Sequence, residues 1–236
     1  MIRKIYNHII DYILPRRCMS CAELTQDSGG FCSKCWQEFE FVTKPYCKSC
    51  GRNFSLNIAN DQVCLGCIKT PPEYDMARSL FKFNATSKKV VHAFKYYDKT
   101  ILAQSFAQML YSKYTEEISG ADLVIPVPMH KLKRLMRMYN QAALLANAIG
   151  ICANKSVTFD VLIKKKWTKP QTLLPRKTRL VNLAGSIGIT NAHKVEGRNI
   201  ILVDDVMTTG STVSLCSKLL KKAGAKNILV LCIAAT

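Results

Sequence analysis

Two clusters of residues in this chain have types and spacings that could do chemistry, and they lie toward opposite ends. Toward the start, eight of the eleven cysteines form four C-x-x-C pairs: Cys18/Cys21, Cys32/Cys35, Cys47/Cys50 and Cys64/Cys67. A C-x-x-C turn brings two thiolates to one side of a tight knuckle, and two knuckles complete a tetrahedral four-sulfur zinc site. The simplest pairing is sequential, with Cys18, Cys21, Cys32 and Cys35 on one ion and Cys47, Cys50, Cys64 and Cys67 on the other. A cross-braced pairing, first with third and second with fourth, stays open. Either way each zinc has four protein ligands and no open position, which makes it structural rather than catalytic. Gly51 admits the positive φ that such a knuckle favours. A segment this short has little core of its own, so metal binding supplies its folding energy. Cys152, Cys216 and Cys232 have no such partner and read as small buried hydrophobes.

The second cluster is Val203-Asp204-Asp205-Val206-Met207-Thr208-Thr209-Gly210-Ser211-Thr212. It is an apolar strand end, two acids, and a Thr/Gly/Ser turn that opens a helix. Backbone N–H groups and hydroxyls at a helix start suit a phosphate dianion, and Gly210 permits close approach. The two carboxylates cannot hold that phosphate. They suit neutral vicinal hydroxyls, or a magnesium ion nearby. Sugar hydroxyls beside a phosphate point to a ribose 5-phosphate group.

Positioning such a turn requires a strand buried on both faces. Asn199–Val203 is a continuous apolar run of that kind, followed by a helix over Ser211–Ala223 and a last strand over Asn227–Ala234. Upstream, Arg78–Phe83 reads as a strand, Ser87–Tyr97 and Ile101–Tyr114 as helices, Asp122–Val127 as a strand, Tyr139–Ile149 as a helix and Val157–Ile163 as a strand. Alternating strands and helices predict an α/β fold with a parallel sheet and helices on both faces, with ligands beyond the carboxyl ends of the strands. Residues 164–178 lack periodicity and read as a long loop. Residues 1–16 carry Ile2, Ile5, Tyr6, Ile9, Ile10 and Ile13 at helical spacing, an amphipathic helix ending before Pro15. The chain thus divides into that helix, a zinc segment over 17–72 and the α/β unit over 75–236.

With 34 Lys+Arg against 16 Asp+Glu, the formal charge is +18. The excess is uneven. Residues 1–74 hold nine basic and seven acidic residues, whereas residues 130–180 hold twelve basic residues and one acid, Asp160. A near-neutral zinc segment argues against a DNA-gripping finger. The basic stretch predicts an anionic partner, although Lys164–Lys166 can equally be a solvated face. Apolar runs are short of the roughly 18 residues a spanning helix needs. Arg3, Lys4, Asn7, His8 and Asp11 interrupt any secretion-signal core, so a cytoplasmic protein with reduced thiols is expected.

The Asp204–Thr212 stretch resembles the signature by which type I phosphoribosyltransferases bind phosphoribosyl pyrophosphate (PRPP). The wider chain resembles the ComF family of competence-associated, phosphoribosyltransferase-like proteins, on three further stretches. The four C-x-x-C pairs match its double zinc ribbon. Ile125-Pro-Val-Pro-Met-His-Lys-Leu-Lys-Arg-Leu-Met-Arg-Met-Tyr-Asn-Gln141 is similar to its P-V-P…R-x-x-x-R-G-F-N-Q block, with Met138 in place of Gly and Tyr139 in place of Phe. Lys169-Pro-Gln-Thr-Leu-Leu…Arg179-Leu-Val-Asn182 is similar to its P-Q-x-x-L…R-x-x-N block, and Ile187 stands near a usual Phe.

This resemblance implies that Asp204 and Asp205 take ribose hydroxyls and that Thr208, Thr209, Gly210, Ser211 and Thr212 cradle the 5-phosphate. It implies a pyrophosphate loop at Val127, Pro128, Met129 and His130, with Lys131, Arg134 and Arg137 as cations, magnesium accompanying PRPP, and a lid around Lys169–Leu174. It also implies work on single-stranded DNA in natural transformation, with DNA-processing proteins as partners. Two functions follow: a magnesium-dependent phosphoribosyltransferase, or a non-catalytic nucleotide-sensing or DNA-binding adaptor. Tyr96, Tyr97, Tyr139 and Trp167 lie among basic residues and could stack bases.

Overall fold

The strands of this protein are written in runs of apolar residues too long to face water on either side. A computed structural model describes residues 17–18, 20–25, 30–54, 61–96, 101–130, 139–165 and 185–236. Its main sheet contains β1 (Met76–Lys82), β2 (Leu123–Pro126), β3 (Ser156–Val157), β6 (Asn199–Val203), β7 (Val206–Met207) and β8 (Asn227–Ala235). The order is β1-β8-β6-β2-β3, with β7 also on β8, and every pair is parallel. A separate two-stranded antiparallel unit joins β4 (Leu162–Lys164) to β5 (Ile187–Ile189).

Successive side chains alternate across a strand, so each central strand must satisfy two apolar layers. Ile201, Val203, Leu229 and Leu231 pack on one face, Ile200, Leu202, Ile228 and Val230 on the other. The first layer is completed by α3 (Ala85–Tyr96), α4 (Ile101–Lys113) and α6 (Gln141–Ala153), the second by α7 (Ser211–Lys222) and the β4–β5 hairpin. A short helix, α5 (Thr115–Ser119), leads into β2. Asn140 caps the start of α6 by accepting from the Ala142 N–H at 3.1 Å, and Asn154 ends that helix in the left-handed conformation.

The expected strand over Val157–Ile163 divides in two. Ser156–Val157 joins the parallel sheet, while Leu162–Lys164 leaves it to pair with Ile187–Ile189. Thr158 and Asp160 turn the chain between them through a short side-chain hydrogen bond. The hairpin closes with the Lys165 N–H donating to the Ser186 carbonyl at 2.7 Å. The N-terminal amphipathic helix and the loop expected over 164–178 lie almost wholly outside the described residues. Cys216 and Cys232 are buried as expected, and Cys152 is half-buried.

The cysteine-rich segment folds around two short helices, α1 (Ser33–Gln37) and α2 (Leu65–Lys69), and lies along the open edge of β1. The Val42 N–H donates to the Leu80 carbonyl at 2.9 Å, Lys82 N–H to Glu40 at 2.8 Å and Ala77 N–H to Ser49 at 2.7 Å. An exposed strand edge invites pairing with another chain, and this segment occupies it. Phe39 stacks on Phe81 at 4.5 Å, and Phe31 meets Phe39 edge-on at 5.0 Å, joining the segment to the sheet's own core.

Gly51 sits at the tightest approach of segment to strand. Its φ is +72°, and an added Cβ would lie 2.4 Å from the Ala77 carbonyl oxygen. Gly51→Ala should therefore cost about 1–3 kcal/mol of stability from backbone strain alone, with the clash added. Gly120→Ala, which meets nothing within 4 Å, should leave stability unchanged. Equal denaturant midpoints for the two variants would contradict this account.

Candidate functional site: a Thr–Gly–Ser turn, a half-buried acid pair and two zinc centres

The two sulfur sites assemble sequentially. Cys18, Cys21, Cys32 and Cys35 have all their sulfurs within 4.8 Å of one another, as do Cys47, Cys50, Cys64 and Cys67. The Cys21–Cys32 and Cys50–Cys64 sulfur distances are 3.7 and 3.8 Å. A Zn–S bond of about 2.3 Å gives tetrahedral edges of about 3.8 Å, so the donors fit zinc. Burial opposes ionising Cys18 and Cys47. Backbone N–H groups of Cys21, Cys32 and Ser20 around the first, and of Cys50, Cys64 and Ser49 around the second, outweigh it and bring them down to about 6 and about 7. Burial first, and neighbouring thiols after it, push Cys35 up to about 12 and Cys50 up to about 11. Four thiols this close ionise together only around a cation. The sequential arrangement removes the cross-braced alternative.

The second site forms where β6 and β2 end side by side. Pro126 is in register with Val203, and the Val127 N–H donates to the Val203 carbonyl at 2.8 Å. Asp204 and Asp205 follow β6, and Val127–His130 follow β2, so both begin on one rim of the sheet. Val127 is buried, and Pro128, Met129 and His130 are half-buried. Asn140 donates through Nδ2 to the Val127 carbonyl at 3.2 Å, tying the loop to the start of α6. Lys131, Arg134, Arg137 and Met138 lie outside the described residues.

Thr208, Thr209, Gly210, Ser211 and Thr212 wrap an open depression of about 220 Å³ that Asp204 also lines. Gly210 takes φ +69° at the head of α7, and no side chain caps that helix start. Its first N–H groups therefore face the depression unclaimed by a cap. The Thr209 and Ser211 hydroxyls lie 3.0 Å apart, and Ser211 is buried. The turn is stitched to the last strand: Met207 pairs with Ala235, and the Thr236 hydroxyl donates to the Thr208 carbonyl at 2.7 Å.

The acids are not equivalent. Asp204 Oδ1 accepts the Asp205 N–H at 2.9 Å, and burial, reinforced by the Asp205 charge, pushes its carboxyl up to about 8. Asp205 accepts the Val206 N–H at 2.7 Å through Oδ1 and the Lys95 ammonium at 2.8 Å through Oδ2. Lys95, which partners Asp205, is a candidate site residue that sequence reasoning does not single out. Its one legible signal is its place at the end of α3. Lys164 is half-buried rather than part of a solvated face: burial lowers its pKa, while Cys216 and Asp204 act to raise it. Lys165 is exposed as expected. Tyr139 is half-buried and donates through its hydroxyl to the Phe94 carbonyl at 3.1 Å, tying α6 to α3.

The comparisons with known proteins agree with this geometry. A double zinc ribbon model matches residues 9–68 and a phosphoribosyl transferase domain model matches residues 96–236. Competence protein F of Haemophilus influenzae is 29% identical over 221 residues, covering 91% of this chain and 94% of its own. The chain belongs to the ComF family. Also similar is the DNA utilization protein YhgH of Escherichia coli O157:H7, 25% identical over 230 residues and covering 94% of this chain and 98% of its own. Among solved structures, an allosteric regulatory enzyme of purine biosynthesis is 17% identical with a TM-score of 0.43, over 60% of this chain and 30% of that one. Two four-cysteine zinc sites and a type I phosphoribosyltransferase-like sheet are thus the ComF architecture of this chain. Among the described residues, no helix is long and apolar enough to cross a membrane.

Asp204 makes the site costly to keep empty. A carboxyl raised to about 8 on folding binds its proton more tightly in the folded chain. Its contribution to stability therefore falls as pH rises from the unfolded value of about 4 to about 8. Asp204→Asn removes that loss. The ligand-free variant should melt above the parent at pH 8, by about 2–4 °C for each kcal/mol recovered, with a smaller gain at pH 5. An identical difference at both pH values would contradict this.

Proposed function

We propose that this ComF-family protein binds PRPP or a related ribose 5-phosphate compound at the Asp204–Thr212 site. The observation that carries the reading is one helix start left uncapped beside a half-buried acid pair, on the rim shared by β6 and β2. The 5-phosphate would take the N–H groups of α7 and the hydroxyls of Thr208, Thr209, Ser211 and Thr212. The acids would accept from the ribose hydroxyls. The pyrophosphate would lie toward Val127–His130, with Lys131, Arg134 and Arg137 as its cations and residues 169–174 as the lid.

The acid pair is a poor direct magnesium site, because Asp205 already faces an ammonium. Magnesium fits better on the pyrophosphate of PRPP, where it would neutralise leaving charge. In this division of labour the zinc segment, residues 17–72, shields and braces the α/β unit of residues 75–236.

The role in the cell that we propose is handling of incoming single-stranded DNA during natural transformation, in the cytoplasm and with DNA-processing proteins. The supports are the competence and DNA-utilization names of the relatives and the basic stretch over residues 130–180. A non-catalytic adaptor that senses PRPP or a nucleotide is the second reading. It is favoured by Asp204, whose carboxyl is raised by its surroundings, so that ligand binding there would be coupled to its protonation without any base acceptor being required.

PRPP with magnesium should raise the melting temperature, and Asp204→Asn with Asp205→Asn should remove that shift. A shift of the same size in the double variant would sink the site assignment. PRPP consumption with a panel of bases, with and without single-stranded DNA, separates transferase from adaptor. Affinity for single strands should fall steeply with salt, and charge reversal within residues 130–180 should weaken it. No binding at low salt would end the DNA reading.

A further inference from the structure

We propose that Lys95 is a specificity-determining residue, which with Asp205 forms a donor–acceptor pair that selects a ribose over a deoxyribose. This rests on the ribose 5-phosphate reading above and adds to it a residue from outside the Asp204–Thr212 stretch.

The Lys95 ammonium lies 2.8 Å from Asp205 Oδ2, and both side chains are largely enclosed, 25% and 16% exposed. An exposed pair of this kind contributes little, but enclosure reduces screening and fixes geometry. The backbone that carries Lys95 is itself pinned. Gln141, 1% exposed, donates through Nε2 to the Lys95 carbonyl at 3.2 Å. Tyr139 donates to the neighbouring Phe94 carbonyl at 3.1 Å. Both come from the chain that returns from the Val127–His130 loop into α6. Three elements thus converge to aim one ammonium at one carboxylate, which is next in the chain to Asp204 and Val206 on the wall of the depression.

The pair has a chemical meaning for a sugar. A hydroxyl is both donor and acceptor. A carboxylate alone satisfies only its donor half, and an ammonium alone only its acceptor half. Asp205 keeps lone pairs beyond those used by the Val206 N–H and by Lys95, and Lys95 keeps N–H groups beyond the one given to Asp205. A ribose hydroxyl bridging the two would donate to the acid and accept from the ammonium. A deoxyribose would leave an enclosed ion pair facing a C–H group, with its charged hydrogen-bonding groups unmatched. Among the described residues Asp204 has no such ammonium partner, so it offers a hydroxyl only an acceptor.

The test measures binding of ribose 5-phosphate and 2-deoxyribose 5-phosphate to the zinc-loaded protein by calorimetry. The parent should prefer the ribose compound by about 10-fold or more. Lys95→Met should lose most of that preference, to within about 3-fold, chiefly by weakening the ribose compound, and Lys95→Arg should restore it. Asp205→Asn, with Lys95 intact, should lose the preference as well. A role confined to stability would weaken both sugars equally and is monitored by the melting temperature of each variant. If Lys95→Met keeps the preference, or if both sugars weaken together, the assignment of Lys95 is overturned while the phosphate turn stands. If the parent binds neither sugar phosphate nor PRPP, the ribose 5-phosphate reading itself falls. If Lys95→Met fails to fold, Lys95→Gln and Asp205→Asn carry the same comparison.

Discussion

Two adjacent carboxylates stand where a strand buried on both faces runs out, and the surrounding structure is arranged around that electrostatic difficulty. Asp204 follows Val203 from a layer that excludes water, and its charge meets that of Asp205 directly. The fold offsets this with backbone N–H groups of Asp205 and Val206, with the Lys95 ammonium, and with the positive end of α7 a few residues on. None of these relieves Asp204 fully, and its carboxyl stays raised. A site held in that state gains more from a neutral diol that donates hydrogen bonds than from another anion beside the acids. The uncapped start of α7 is a separate patch of the same depression, and there the local charge is positive instead.

The zinc segment answers a different problem. A parallel sheet made by crossover connections leaves its outer strand with an unpaired edge, and in this chain β1 is that strand. The segment hydrogen-bonds along it from Ala77 to Lys82 and inserts Phe31 and Phe39 into the core beside Phe81. So small a segment could not hold such a shape on its apolar contacts alone, and two zinc ions fix it. Lys113 adds a further tie, reaching the Val42 carbonyl from the end of α4. Its ammonium is half-enclosed there, and burial lowers it to about 8. The ribbon is in this sense the sheet's outermost layer as much as an appended module.

Much of this was legible in the chain. Asn199–Val203, the helix beginning at Ser211 and the strand beginning at Asn227 lie where their residue patterns put them, because a doubly buried strand must be continuously apolar and a helix must repeat near every 3.6 residues. The eight cysteines of the two sulfur sites were legible too, since metal knuckles are local and their spacing is written in consecutive residues. Three features were not. Sequential and cross-braced zinc pairing use identical spacing, and only the approach of the knuckles in space separates them. The run from Val157 to Ile163 is apolar enough for one strand, yet its halves join different sheets, because pairing depends on which neighbours offer an open edge. Lys95 lies more than a hundred residues from Asp205, and no local pattern connects them. The sequence by itself determined which chemistries this protein carries, because each resides in a short run of residues. The tertiary structure alone decided which charges face which, because electrostatic partnership depends on distance and burial, and the order of residues along a chain encodes neither.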